Sequence, residues 1–125
     1  MNNDMPIIDI PEALTRSMGD VDFLKMMLEE FHRSIPEYAT RIRCALEAKD
    51  MKTLNSDAHQ FKGAAANLGA KAMAHEALKL EQIGKTGTVD DNANQALNQL
   101  ENAMAAFSQY FENIDWKNVS TKTTA

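Results

Sequence analysis

Cysteine, proline and glycine are all scarce in this chain: its 125 residues include one Cys, three Pro and five Gly. The lone thiol, Cys44, excludes an intramolecular disulfide and fits a reducing compartment. Aromatic residues make up only 6 %, against eight Met, which favours helix over sheet. Positive charge is in deficit, with 13 Lys and Arg against 18 Asp and Glu and a net charge of -5. That balance argues against nucleic acid or an anionic membrane as the main partner, because both need basic patches. No run approaches the ~18 apolar residues of a membrane span. The first ten residues, Met1 to Ile10, have neither a basic start nor a continuous apolar core. No signal peptide is therefore expected, and the chain reads as cytoplasmic.

What is present is helical periodicity. With 44 % apolar and 25 % charged residues, the composition suits a soluble helical globule. The length makes one domain, able to bury about two-thirds of its unfolded surface. Asp9 can cap a short helix with Pro11 in its first turn, stopping near Met18-Gly19. Asp20 caps a long second segment whose apolar residues step by three and four: Val21, Leu24, Leu28, Phe31, Ile35, Tyr38, Ile42 and Ala45. Pro36 lies inside it, but the stripe keeps its phase, so one kinked helix ending near Lys49 is expected. Asp50 caps a third helix that ends at Gly69. Met73, Ala77, Leu80 and Gly84 mark a fourth, ended by Gly84. Asp90 or Asp91 opens a fifth, striped by Ala93, Leu97, Leu100, Met104, Phe107, Phe111 and Ile114. Four substantial helices with short connections predict an all-α fold, an up-down four-helix bundle with a short extra N-terminal helix. The domain is expected over 10–114, with flexible ends at 1–9 and 115–125.

The third helix carries the chemistry. Met51, Leu54, Ala58, Phe61, Ala65 and Leu68 form one apolar stripe. His59 is turned ~130–140° from its centre, towards solvent. Lys62 follows nearly one turn later, and helical side chains lean back towards the N-terminus, so its ammonium can sit over His59. Gly63 leaves bare backbone beyond the imidazole. A Gly inside a helix costs roughly 0.5–1 kcal/mol against Ala, and here it lies away from the buried stripe. Something bulky that must approach His59 would explain it. A nucleophilic imidazole, a nearby cation and a cleared approach suit transfer of an anionic group.

Other candidates carry less. Gly84-Lys85-Thr86 has the end of a phosphate loop, but the earlier Gly would fall at Lys79 and no strand precedes it, so the stretch is read as a linker. His32 borders the long stripe and reads as a structural or surface residue, and His75 as solvated. No pair of His has i,i+3 or i,i+4 spacing and no Glu-x-x-His occurs, so a metal centre is not expected. Cys44 reads as a half-buried inert thiol, and Glu81 as a structural or exposed carboxylate.

His59-x-x-Lys62-Gly63, followed by the small Ala64 and Ala65 and by Leu68-Gly69, resembles the signature of histidine phosphotransfer (HPt) domains of multistep phosphorelays. Ala77-Leu78-Lys79-Leu80-Glu81 is similar to that family's next helix, and the resemblance covers roughly residues 10–114. Ala77 stands where many relatives carry Cys, a departure without chemical consequence.

The resemblance implies a stand-alone phosphoryl carrier. His59 would accept the group from a phospho-Asp of a receiver domain and pass it to another receiver, Lys62 offsetting charge on the moving phosphoryl. The implied partners are response-regulator receiver domains and a hybrid sensor histidine kinase. The implied Mg²⁺ belongs to the partner receiver, with no cofactor of the chain's own. Transfer should weaken as the imidazole becomes protonated.

Asn55, Ser56, Gln60, Gly63, Ala66 and Asn67, small or uncharged, surround His59 and form the expected docking face. Because the stripes can be satisfied within one chain, a monomer is expected. The competing reading is a helical adaptor that binds a receiver or sensor kinase without accepting phosphate. An adaptor has no need of His59 paired with Lys62.

Overall fold

Aspartates open the first three helices. In the computed structural model, which describes residues 5–87 and 91–119, α1 spans Ile10–Arg16, α2 Val21–Glu47 and α3 Met51–Asn67. Asp9 accepts from the Glu12 amide at 3.2 Å, Asp20 from the Phe23 amide at 3.0 Å, and Asp50 from the Thr53 amide at 3.2 Å. Each satisfies a backbone donor that the first turn leaves without a partner, worth about 1 kcal/mol. Helix α4 spans Lys71–Thr86 and α5 Asp91–Glu112, followed by a 3-10 turn at Trp116–Asn118. Asp90 and the Asp91 side chain, the expected caps of α5, lie outside the described residues.

The buried residues follow the expected stripes. Leu24, Leu28, Phe31, Ile35 and Ile42 of α2 meet Leu54, Ala58, Phe61 and Ala65 of α3, Met73, Ala77 and Leu80 of α4, and Leu97, Leu100, Met104 and Phe107 of α5. Phe31 stacks on Phe61 at 5.4 Å between centroids and meets Phe107 edge-on at 5.5 Å, joining three helices at the centre. Helix α3 packs on α4 and α4 on α5, while α2 closes the ring against both α3 and α5. All described regular structure is helical, so the four-helix bundle with an extra N-terminal helix holds. Helix α2 runs through Pro36 without a break, its ring exposed.

Four expectations need correction. Helix α4 does not stop at Gly84 but runs to Thr86, and Gly87, at φ 76°, closes it in the left-handed conformation. Gly84 serves packing instead: a Cβ there would stand 2.6 Å from the Asn55 amide nitrogen, so its lack of side chain lets α4 approach α3. Gly84-Lys85-Thr86 is accordingly the last turn of a helix and not a linker. Cys44 is exposed, since it sits ~150° around α2 from the face that buries Ile42, Ala45 and Leu46. His75 is half-buried, because the N-terminal segment, bonded through Pro6 O to the Ala72 amide at 3.1 Å, lies beside the start of α4.

The ends of the chain are more engaged than 1–9 and 115–125 were expected to be. Ile8 is buried, and the Asp9 amide donates to Gly69 O at 2.7 Å. Gly69, at φ 78°, has Asp9 O 2.8 Å from where a Cβ would be, so the α3–α4 turn admits the N-terminal segment only with Gly there. Trp116 meets Phe111 edge-on at 6.4 Å. Residues 1–4 and 120–125 lie outside the described residues.

Polar contacts tie the helices at two further points. Asp57, buried on α3, accepts from Arg41 of α2 at 3.1 Å. His32 is structural: its Nε2 lies 3.0 Å from Ser108 Oγ and its ring packs on Phe111 at 5.1 Å, joining α2 to α5.

Candidate functional site

Phe61 and Ala58 bury one side of α3 and so fix the other towards solvent. His59, ~140° round from the buried face, keeps 66 % of its side-chain surface exposed. Lys62 and Asn55 fall at intermediate angles, on the side that faces α4. The close approach of α4 allowed by Gly84 then brings Glu81 across to the imidazole.

Glu81 receives both groups. Its Oε2 lies 2.8 Å from His59 Nδ1, and its Oε1 lies 2.6 Å from Lys62 Nζ. The carboxylate is only 18 % exposed and Lys62 29 %, so this pair is screened less than an open surface contact. The Lys62 ammonium holds the Glu81 carboxyl below the ordinary glutamate value; partial desolvation opposes this, and the bond from His59 adds to it. Asn55 Nδ2 donates to Glu81 O at 2.8 Å, so α4 is bonded to α3 through its backbone at the same residue.

Gly63 differs from Gly84 in kind. A Cβ at Gly63 would meet nothing within 4 Å, so no contact inside the molecule requires a glycine there. The backbone lies open beside His59. A groove of about 410 Å³ begins at Lys62 and Gly63 and continues over Ala66, Ala74 and Leu78 to Met5. A larger hollow, of about 600 Å³, lies elsewhere, between the N-terminal segment and the end of α5. It is lined by Ile7, Ile10, Tyr110 and Ile114 among others and holds no His, Lys or Cys.

Of the expected docking residues, Ser56, Gln60, Gly63, Ala66 and Asn67 are exposed. Asn55 is half-buried, with its amide committed to Glu81 and its backbone under Gly84, and it binds α3 to α4. Ala66 and Asn67 also offer their carbonyls to Arg16 Nη1, at 2.8 and 3.1 Å, which caps the end of α3 with a cation. Glu81, read from the sequence as a structural or exposed carboxylate, is the residue that the structure adds to the surroundings of His59 and Lys62. Its place after the buried Leu80 was the available signal, but only the docking of α4 shows where the carboxylate goes.

Among the described residues, no helix is long and apolar enough to cross a membrane, and no group of three or more His, Cys, Asp or Glu is arranged to hold a metal ion.

The arrangement can present a nucleophilic imidazole nitrogen, a cation next to it and room for a second protein. Comparison with known proteins agrees. The Hpt domain family model matches residues 26–110. Histidine-containing phosphotransfer protein B from Pseudomonas aeruginosa is 28 % identical, with a TM-score of 0.75 over 86 % of this chain and 92 % of that one. The HPT domain of a sensor hybrid histidine kinase from Shewanella shares the fold at 23 % identity, with a TM-score of 0.69 over 90 % of this chain and 99 % of that one. No curated protein matches.

Proposed function

The chain belongs to the Hpt domain family, whose members carry phosphoryl groups in phosphorelays, and we propose that His59 is its phosphoryl-accepting residue, charged by a phospho-Asp of one receiver domain and discharged to the Asp of another. The observation that carries this reading is the exposed His59 with Lys62 and an unobstructed Gly63 on the same face. Neither His32, packed on Phe111, nor half-buried His75 has such a setting.

The chemistry asks little of the bundle. The transferring group is metaphosphate-like, with charge on its equatorial oxygens, so positioning and electrostatic stabilisation carry most of the catalysis. Lys62 supplies one cation, 29 % exposed and able to turn from Glu81 to a phosphoryl oxygen. In this reading the receiver brings Mg²⁺ and its own catalytic groups. Hpt domain proteins are phosphocarriers and not kinases, and they act with receiver domains and hybrid kinases. The proposed partners are accordingly a response-regulator receiver and the receiver of a hybrid sensor histidine kinase, met by a monomer in the cytoplasm.

Incubation with a phosphorylated partner receiver should yield an acid-labile, base-stable phosphoramidate. It should be absent in His59→Gln and retained in His32→Gln and His75→Gln. Label that persists in His59→Gln overturns the assignment. Receiver binding without any label would make the protein an adaptor. Light scattering should return a mass near 13.9 kDa, and twice that value would refute the monomer.

A further inference from the structure

A receiver that brings its aspartyl phosphate to His59 covers more than the imidazole. A stable protein interface takes about 800 Å² from each partner, a patch roughly 30 Å across. Ala66 lies two turns beyond His59 on the same helix, ~10 Å along the axis, so the groove that opens at Gly63 falls inside such a patch. Its floor is apolar, with Gly63 and Ala66 from α3, Ala74 and Leu78 from α4, and Met5 at the far end. The half-buried His75 completes the wall.

The cations along the rim are already engaged. Lys62 bonds Glu81 at 2.6 Å, and Lys71 bonds Glu12 at 2.7 Å and Asp9 at 3.4 Å. Arg16 bonds Glu12 at 2.8 Å and the carbonyls of Ala66 and Asn67. These three cations meet three carboxylates of the same chain, so the groove attracts neither sign of charge. A charged side chain pressed into it would lose hydration without gaining a partner, whereas an apolar one gains by burial.

Two of the lining residues do not come from the bundle proper. Met5 belongs to the N-terminal segment and Arg16 to α1, both outside residues 26–110, which the Hpt model matches. Both elements are fastened down. The Pro6 carbonyl accepts from the Ala72 amide, Ile8 is buried, and the Asp9 amide donates to Gly69 O. Arg16 seats α1 on the end of α3.

We propose that this groove is the part of the docking face that chooses among receivers, with Met5 as its specificity-determining residue: the preferred receiver places an uncharged, apolar surface against it. This deepens the carrier reading and rests on it. Every receiver must meet His59 and Lys62 in the same way, so those two cannot discriminate. Methionine suits the other task, because its unbranched thioether adapts to apolar side chains of different shape and offers nothing to a charge. Met5 does not touch the reacting atoms, so it acts on the encounter and not on the chemistry.

The test uses the full chain and a panel of isolated receiver domains charged with acetyl phosphate. Among receivers that label the wild type, Met5→Ala should lower kcat/KM roughly tenfold and Met5→Glu roughly a hundredfold, while the rate at saturating receiver holds. Met5→Leu should restore most of the loss. Calorimetric titration with the unphosphorylated receivers should show matching losses of affinity. Met5→Glu should also reorder the panel, in favour of receivers with Lys or Arg on the facing surface. Tyr110→Glu is the control: Tyr110 matches Met5 in exposure, 40 against 41 %, but lines the other hollow, so kcat/KM and the ranking should not move. If Met5→Glu lowers the melting temperature, Ala66→Glu, on the exposed face of α3 in the same groove, must give the same loss and reordering. An unchanged kcat/KM and ranking in the folded variant, or a saturating rate that falls in step with kcat/KM, overturns the proposal and leaves the carrier reading standing. Receiver binding that Met5→Glu weakens, with no label ever reaching His59, keeps the groove and removes the carrier reading. If no receiver binds the wild type, both fall.

Discussion

Gly84 on α4 and Asn55 on α3 touch backbone to backbone, with 2.6 Å between the Asn55 nitrogen and the point where a Gly84 Cβ would lie. This contact sets how close the two helices come, and so whether Glu81 reaches His59. A methyl group at that distance must push α4 outward, because the obstacle is main chain and cannot rotate away. Gly84→Ala should therefore destabilise the fold by about 1–3 kcal/mol, more than the roughly 0.5–1 kcal/mol gained in helix propensity. Chemical denaturation measures the loss. Phosphotransfer should slow in the same variant, as Glu81 moves off the ring.

Gly63→Ala should behave in the opposite way. With nothing within 4 Å of the new Cβ, the domain should keep its fold and gain roughly 0.5–1 kcal/mol in helix stability. Gly63→Gln should keep the fold too, yet weaken receiver binding and slow transfer together. Calorimetric titration and transfer kinetics on the two variants check this, and Gly63→Gln transferring at the wild-type rate would dispose of the open-approach role.

Lys62→Ala should mainly slow transfer, by about ten- to a hundredfold, with receiver affinity little changed. That range corresponds to losing one charge-assisted contact of about 1.5–3 kcal/mol.

The Glu81 carboxyl should titrate below the ordinary glutamate value of 4.5, chiefly because Lys62 favours its charged form. A carboxyl depressed on folding contributes stability that is present above the unfolded value and is lost as pH falls through the folded one. The contact with Lys62 should thus survive mild acid and fail only below pH 4.5. Carboxyl ¹³C shifts during an acid titration should show the low midpoint, and Lys62→Ala should move it upward.

Arg41→Ala should destabilise the domain more than Asp57→Asn. Arg41 is 47 % exposed and can be hydrated without its partner, whereas Asp57, at 9 %, would be left ionised and enclosed. The expected loss for Arg41→Ala is about 1–3 kcal/mol, that of an unsatisfied buried group, and thermal melts of both variants would rank them.

Helix boundaries and buried faces were legible in the sequence because both are local. An aspartate finds its amide three residues on, as Asp50 finds Thr53, and a three-four apolar rhythm selects a face wherever the helix ends up. The same rhythm turned His59 and Gly63 outward. It could not say how far one helix slides along another. Gly84 looked like a helix end because glycine does serve there, and only the contact with Asn55 showed it to be a seat for α4. Glu81 lies 22 residues from His59, and no periodicity within either helix relates them. Their meeting is decided by the packing of α3 on α4, where backbone contact at a single glycine fixes the offset between the two helices.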